Sequence, residues 1–267
     1  MNQPAEILSQ AIMADKPVRY EQPLSERMRT FLRLEYLYEQ LLFHIERESQ
    51  WASRAAVTSL LDIIAILGRG DLRSDIIKEL ERQIYVFDRY QNIPNVDAER
   101  LARVLRNLHT LRQELNVVGP QYLQSVRESE FLNTVKHRST IPGGTCEFDL
   151  PDYSHWLRKP YDQRLTDIKE WTRNLRPLCA SIAELLWLLR KSGQSFDQVA
   201  ISGGFQYALR RNMTVGLIRV TMAPGSPYYP EISGSRHRFT VRFMEWTDAC
   251  LRAVQTNHNV EFKLTIC

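Results

Sequence analysis

The chain has 267 residues, 43% of them hydrophobic and 25% charged, with a formal net charge of +4 and a pI near 8.9. This length and hydrophobic content predict one large domain or two small ones, and they exclude a wholly disordered chain. The mildly basic balance falls short of a dedicated nucleic-acid binder with a basic tail. It indicates local positive patches that could meet an acidic partner.

The sequence predicts a cytoplasmic protein with no membrane-spanning segment. No apolar stretch suited to a signal peptide follows Met1, and no run approaches the ~18 apolar residues that a span requires. The four cysteines form no C-x-x-C pair, which is typical of small buried side chains in a reducing compartment. They are Cys146, Cys179, Cys250 and Cys267.

Residues 1 to about 19 show no sustained pattern and are predicted to form a loose leader. Apolar residues at steps of three and four then predict a series of amphipathic helices. Gly68-Arg69-Gly70 and Gly119-Pro120 provide stops between them. The first two predicted helices span about 24–45 and 55–67. The third follows a cap at Asp71 or Ser74 and carries apolar residues from Ile76 to Phe87. The fourth follows a cap at Asp97 and ends at Gly119-Pro120, and a shorter fifth covers about 121–136.

The pattern changes at Ser139. The segment Thr140–Gly144 combines a proline with two glycines and cannot be helical. Thr145–Leu150 alternates with a period of two, which predicts a short strand that Pro151 closes. Helical signals return over Tyr161–Trp171 and Pro177–Leu189.

From Val199 onward the sequence predicts β structure. Phe239, Val241 and Phe243 alternate with polar residues, and a second alternation covers Val260–Ile266. The predicted fold class is therefore α+β: an N-terminal helical domain and a smaller antiparallel β-strand domain, discontinuous in sequence. The helical domain is assigned to 20–138 and 152–194, and the β domain to 139–151 and 195–267.

The common signatures of enzymes and cofactor sites do not occur. The sequence has no phosphate-binding glycine loop, no H-E-x-x-H and no G-x-S-x-G, and its six histidines lack metal-ligand spacing. The glycine-rich segment Ile201–Phe205 favours a tight turn or β-bulge over an anion site. We therefore expect no enzymatic activity, no metal and no cofactor.

The densest basic cluster lies in the predicted strand that contains Phe239. Arg236, Arg238 and Arg242 share strand parity and would line one face, opposite the apolar residues. That face could be simply solvated, or it could hold carboxylates, which arginine binds in bidentate geometry. Arg33 on the first helix and Arg69 at a helix junction are further basic positions, where a solvated surface is the simpler interpretation.

Four segments in the same order along the chain resemble one known family. They are Glu21–Arg33, Asp71–Gln83, Ile141–Pro151, and Tyr229–Gly234 with the pairs Arg238-Phe239 and Arg242-Phe243. Together they resemble the bacterial cell-division protein ZapD family, whose members are associated with FtsZ and the Z-ring.

The resemblance implies a helical domain joined to a β-strand domain in a symmetric homodimer. It also implies binding to the C-terminal tail of FtsZ and crosslinking of its filaments at the mid-cell division site. The basic contact surface of the family maps onto Arg33, Arg69, Arg238 and Arg242, with Arg236 beside them.

The alternative from another class is a nucleic-acid-binding module that grips phosphate with the same basic face. The aromatic residues of that strand alternate onto its buried side. The pattern therefore predicts no aromatic surface beside the arginines on which bases could stack. A hydrolase without a known motif has no positive indication. Nucleic acid and membranes are therefore not expected as partners.

Overall fold

The computed structural model describes residues 16–94, 96–210, 215–235, 237–248 and 250–267. The chain divides into two compact units. Residues up to Thr30 together with Trp187–Cys267 form what we term the β unit, and Phe31–Leu186 form the helical unit. After one strand at the start of the described chain, helices come first and antiparallel strands follow, which confirms the predicted α+β class.

The described helices are α1 (Glu26–Ile45), α2 (Gln50–Leu67), α3 (Leu72–Asp88), α4 (Ala98–Val118), α5 (Gln124–Arg127), α6 (Glu130–Arg138), α7 (Pro151–Leu157), α8 (Tyr161–Thr172) and α9 (Arg176–Ser192), with a 3-10 turn at Arg89–Asn92. Side-chain caps fix several starts: Ser49, Asp71 and Asp97 each accept a hydrogen bond from a backbone N–H of the helix they precede. Gly119 ends α4 with φ of 71°, as the Gly-Pro stop predicts.

The strands of the β unit are β1 (Val18–Pro23), β2 (Gln194–Ala200), β3 (Gly204–Ala208), β4 (Leu217–Met222), β5 (Tyr228–Gly234), β6 (Arg238–Glu245), β7 (Val254–Gln255) and β8 (Val260–Ile266). One antiparallel sheet has the order β1-β4-β8-β2. The other has β3-β6-β5, with β7 pairing the end of β6.

The core of the β unit consists of the inward residues of both sheets. Val220 and Leu264 from the first sheet cluster with Phe239, Val241 and Phe243 from the second, all fully buried. The ring centroids of Phe243 and Phe262 lie 5.0 Å apart across this core. The alternation predicted for β6 and β8 is thus confirmed, and it fixes which side of each strand faces solvent.

A two-residue turn carries the chain from β2 in one sheet to β3 in the other. Ser202 and Gly203 both have positive φ, 49° and 70°, and the Gly204 N–H donates to the Ile201 carbonyl at 2.9 Å. A Cβ on Gly203 would lie 2.4 Å from the Thr256 carbonyl oxygen, so only glycine fits there. The predicted tight turn is confirmed.

An ion triad ties β1 into the β unit. The Glu21 carboxylate accepts hydrogen bonds from Arg190 on α9, at 2.7 Å, and from Arg219 on β4, at 2.6 Å. All three side chains are largely buried. Burial raises the pKa of Glu21, but the hydrogen bonds from the two guanidiniums outweigh it and hold the pKa below its usual value.

We expect Glu21→Gln to destabilise the protein by about 2 kcal/mol at neutral pH, because two largely buried cations lose their anion. The folded pKa of Glu21 is depressed, so its contribution is present above its ordinary value of 4.5 and is lost as the pH falls below it. Thermal unfolding from about pH 6 to about pH 3 should therefore show a shrinking difference between wild type and variant. A difference that stays constant over this range would contradict the assignment.

The helix α2 forms the centre of the helical unit. Its residues Ala56, Val57, Leu60, Ile63 and Leu67 are almost wholly buried against the surrounding helices. Among the helices that the structure describes, α2 alone is long and apolar enough in composition to cross a membrane. More than half of it is buried inside the protein, so packing in a core accounts for that composition.

The prediction of a strand over Thr145–Leu150 is wrong. The segment between α6 and α7 is a series of turns within the helical unit. Arg54 of α2 fastens it by donating to the Thr145 carbonyl at 3.0 Å and hydroxyl at 2.6 Å. The alternation reflected no buried face, because Phe148 is 87% exposed. Residues 139–151 therefore do not join the C-terminal sheets.

The N-terminal prediction also needs correction. Val18 and Arg19, assigned to a loose leader, and the next four residues, assigned to the helical domain, form β1, which pairs with β4. The β unit is discontinuous in sequence through this strand rather than through 139–151. Residues 1–15 of the predicted leader lie outside the described residues. Pro151 begins α7 instead of closing a strand, and β2 begins at Gln194.

Candidate partner-binding face on strand β6

The side chains of Arg238, Thr240, Arg242 and Met244 share one parity along β6, and we call this the β6 outer face. Arg238 and Arg242 are exposed, whereas Phe239, Val241 and Phe243 between them are fully buried. A strand rises about 3.3 Å per residue, so the Cα atoms of Arg238 and Arg242 lie roughly 13 Å apart. The predicted orientation of these two arginines is confirmed.

The residues of β3 that lie beside the two arginines are small. Ala208 of β3 pairs with Arg238, and Gly204 pairs with Arg242. Ser233 of β5 pairs with Thr240. Two longer side chains stand on the same face, since Gln206 of β3 pairs with Thr240 and Glu231 of β5 pairs with Arg242. A partner segment along β6 would therefore reach the two guanidiniums beside these side chains.

Arg238 borders a cavity of about 600 Å³ at one end of the β6 outer face. The cavity is lined by Gln206, Tyr207, Ser233 and Ser235 along with Arg238. No carboxylate among the described residues pairs with Arg238. Its five N–H donors are therefore available to an incoming acid.

Arg242 differs from Arg238 because it already has a partner. Its Nη2 donates to the Glu231 carboxylate at 2.9 Å, directly across the β5–β6 pair. Both side chains are about half exposed, so the pair contributes little to stability, roughly 0.2–1 kcal/mol. A carboxylate from a partner must share or displace Glu231 to reach Arg242.

The other predicted site residues lie elsewhere. Arg33 is exposed on α1 and Arg69 is exposed in the turn between α2 and α3, both in the helical unit. At that turn the Arg127 guanidinium lies against Gly68, and Arg73 donates to the Leu115 carbonyl at 2.9 Å. Arg236 lies outside the described residues. The structure thus places Arg238 and Arg242 on one face and leaves the grouping of all five a prediction.

Sequence reasoning missed an apolar cleft at the Arg242 end of the β6 outer face. It has a volume of about 420 Å³, and its lining includes Arg242, Met244, Trp246, Leu251 and Arg252. The only signal in the sequence was the presence of Trp and Leu in a segment otherwise typical of a loop.

Within the described chain, no group of three or more His, Cys, Asp or Glu side chains is placed to hold a metal ion.

Comparison with known proteins gives a consistent result. A family model described as ZapD, cell division protein, matches residues 32–242. A cell division protein ZapD from Methylococcus capsulatus is 39% identical over 248 residues, covering 93% of this chain and 97% of the relative. Those from Chromobacterium violaceum and Ralstonia nicotianae are 35% and 37% identical, and each alignment covers 94% of this chain and 99% of the relative.

These matches cover both the helical unit and most of the β unit, including the β6 outer face up to Arg242. They support a role in cell division, and the family description names no enzymatic activity. The chain belongs to the cell division protein ZapD family.

Proposed function

We propose that this chain binds the C-terminal tail of FtsZ through the β6 outer face and crosslinks FtsZ filaments at the division site in the cytoplasm. The observation that carries the proposal is the pair of exposed guanidiniums at Arg238 and Arg242, set beside an apolar cleft, in a member of a cell division family. Arg33, Arg69 and Arg236 are proposed as further contacts of the acidic tail.

The energetics require more than ion pairs. An exposed arginine–carboxylate pair contributes about 0.2–1 kcal/mol, so two pairs supply at most about 2 kcal/mol. A micromolar complex needs about 8 kcal/mol. Apolar contacts must provide much of the difference, and the cleft beside Arg242 offers them. A polymer displays many tails, so binding is multivalent. Its avidity can exceed the affinity of a single site by about 10²–10⁴, and weak single sites can therefore give strong bundling.

Crosslinking needs two binding sites in one particle, and a homodimer supplies them with a single kind of chain. We therefore expect light scattering to return about twice the 31.3 kDa mass of the chain. A monomer at concentrations well above those used for bundling would contradict this expectation, because one copy of the β6 outer face cannot bridge two filaments.

Glu231 is expected to compete with the tail for Arg242. Glu231→Gln should therefore tighten tail binding by about threefold, since it frees a guanidinium from a pair of roughly 0.2–1 kcal/mol. Glu261→Gln is the matched control, because Glu261 is exposed on β8 of the other sheet and the change in net charge is identical. Fluorescence anisotropy with a labelled tail peptide measures both.

Equal tightening by the two variants would mean that net charge, rather than competition at Arg242, sets the affinity. Weaker binding of Glu231→Gln would mean that Glu231 holds Arg242 in its binding geometry.

The nucleic-acid alternative has one observation in its favour. Trp246 is 60% exposed beside Arg242 and could stack on a base, although Phe239 and Phe243 are buried as the sequence predicts. The test of function therefore titrates the protein against two labelled probes: a peptide of the FtsZ tail and a single-stranded oligonucleotide. Saturable binding of the peptide alone supports the proposal. Binding of the oligonucleotide alone would replace it with the alternative.

A further inference from the structure

The cavity beside Arg238 is lined by side chains that can donate hydrogen bonds. Gln206 of β3 and Ser233 of β5 both pair with Thr240 of β6, so the three polar side chains form one row across the sheet. Arg238 lies on the same side of β6, two residues and about 7 Å along the strand from Thr240. The lining of the 600 Å³ cavity includes the whole row and Arg238.

These donors have no partner within the described chain. The side chains of Gln206, Ser233 and Thr240 form no hydrogen bond with another described residue, and Arg238 forms no ion pair with one. No aspartate or glutamate is among the described residues that line the cavity. The cavity therefore has one positive charge in excess and hydroxyl, amide and guanidinium donors around it.

The backbone beside the cavity is fixed by hydrogen bonds. The Ser235 N–H donates to the Arg238 carbonyl at 2.8 Å, which joins the end of β5 to the start of β6. The Leu209 N–H donates to the His237 carbonyl at 2.9 Å, which ties the start of β6 to the segment after β3. A site whose backbone is fixed before a ligand arrives loses less entropy when the ligand binds.

We infer that this cavity binds a phosphate group, either as the free ion or as a small phosphate monoester. A phosphate monoester carries a charge of about −1.5 to −2 at pH 7 and three acceptor oxygens. Two of these oxygens match the planar fork of the Arg238 guanidinium. The third is left for the row of Gln206, Thr240 and Ser233, whose amide and hydroxyls donate to it.

A carboxylate uses the same site less fully. A bidentate arginine occupies both of its oxygens, and its charge is only −1, so the row from Gln206 to Ser233 gains little. The volume also favours a small molecule, since sites for such ligands measure about 300–1,000 Å³. The inference uses no property of FtsZ and stands apart from the proposed function. Bound phosphate and a tail carboxylate would exclude each other at Arg238, because both need its guanidinium.

The test is calorimetric titration of the protein with inorganic phosphate at constant ionic strength, with chloride as the balancing anion. We expect saturable binding that Arg238→Gln weakens about tenfold, because charge-assisted hydrogen bonds are lost. Ser233→Ala with Thr240→Val should weaken binding about fivefold without any change in charge. Arg19→Gln is the matched control: it removes the same charge from an exposed position on β1 in the other sheet, and it should leave binding unchanged.

Two further ligands identify the chemistry. Acetate should bind about tenfold more weakly than phosphate, because it has one charge and two oxygens. Tighter binding of ribose 5-phosphate than of inorganic phosphate identifies a monoester as the ligand, and any other order identifies the free ion; both support a phosphate site. Acetate that binds as tightly as phosphate, phosphate that shows no saturable binding to wild type, or equal losses in Arg238→Gln and Arg19→Gln would overturn the inference.

Discussion

Replacing Arg164 with methionine should lower the free energy of unfolding by about 3 kcal/mol. Arg164 lies on α8 and is only 4% exposed. Its guanidinium donates to the Glu48 and Ser49 carbonyls, to the Ser53 hydroxyl at 2.6 Å, and to the Lys159 carbonyl at 3.1 Å. The charge is thus solvated by protein dipoles, and no described carboxylate forms an ion pair with it.

The loss follows from the acceptors that remain. The Ser53 hydroxyl is buried, and a buried acceptor left without its donor costs about 1–3 kcal/mol. The Glu48 and Lys159 carbonyls also lose a charged donor, whereas the Ser49 carbonyl keeps the Ser53 N–H. The helix α8 would also lose its hydrogen bonds to the connection between α1 and α2, while Tyr161 of α8 still donates to the Ile45 carbonyl at the end of α1. Urea unfolding followed by circular dichroism measures the change, with an unaltered slope if the denatured state is unaffected.

Arg158→Met is the matched control. Arg158 is 58% exposed and its pair with Glu147 is open to solvent, so we expect a loss of less than about 1 kcal/mol. A loss for Arg164→Met no greater than for this control would show that the buried hydrogen bonds do not hold the helical unit together.

The second large effect that we expect is weaker tail binding when charge is reversed on the β6 outer face. Arg238→Glu should weaken tail binding about tenfold, and the double change with Arg242→Glu about a hundredfold, because attraction becomes repulsion at each position. Wild-type binding should also weaken with salt, as the Debye length falls from about 10 Å at 0.1 M to about 3 Å at 1 M.

The two single variants should differ in their free energy of unfolding. Arg238→Glu breaks no ion pair among the described residues, so its melting temperature should match that of wild type. Arg242→Glu places a carboxylate opposite Glu231, a like-charge pair that costs roughly 0.2–1 kcal/mol. Arg19→Glu, an exposed position on β1 in the other sheet, makes the same charge change away from the face. Tail binding of Arg19→Glu as weak as that of Arg238→Glu would argue against a local site.

The helices and the late strands could be predicted because their apolar periodicity records real burial. The stripe along α4 and the alternation along β6 both face cores. The strand β1 could not be found in this way, since only Pro23 of its six residues is buried. It is held by backbone pairing with β4 and by the ion triad at Glu21, and neither leaves a period-two pattern.

The opposite failure occurred at Thr145–Leu150, where a period-two pattern exists without a buried face. Two glycines just before this segment determine its backbone conformation. Gly143 has φ of 73°, and a Cβ on Gly144 would lie 2.5 Å from the Arg138 carbonyl oxygen. Such a close approach depends on tertiary packing and cannot be read from alternation.

The candidate site was predictable in part for a similar reason. Strand parity determines the side to which Arg238 and Arg242 point. The pairing of Arg242 with Glu231 depends on the register of β5 against β6, and the cleft depends on how β7 folds back on β6. Local sequence fixes neither, so both features emerged only from the structure.

The most direct test of the central claim is sedimentation of FtsZ polymers at low speed, with FtsZ that retains its C-terminal tail and FtsZ that lacks it. The proposed function requires that this protein pellet bundles of intact FtsZ, that it leave tail-less polymers unbundled, and that the double variant Arg238→Glu with Arg242→Glu fail with both. Equal bundling of tail-less polymers, or bundling by the folded double variant at the level of wild type, would contradict tail binding through the β6 outer face.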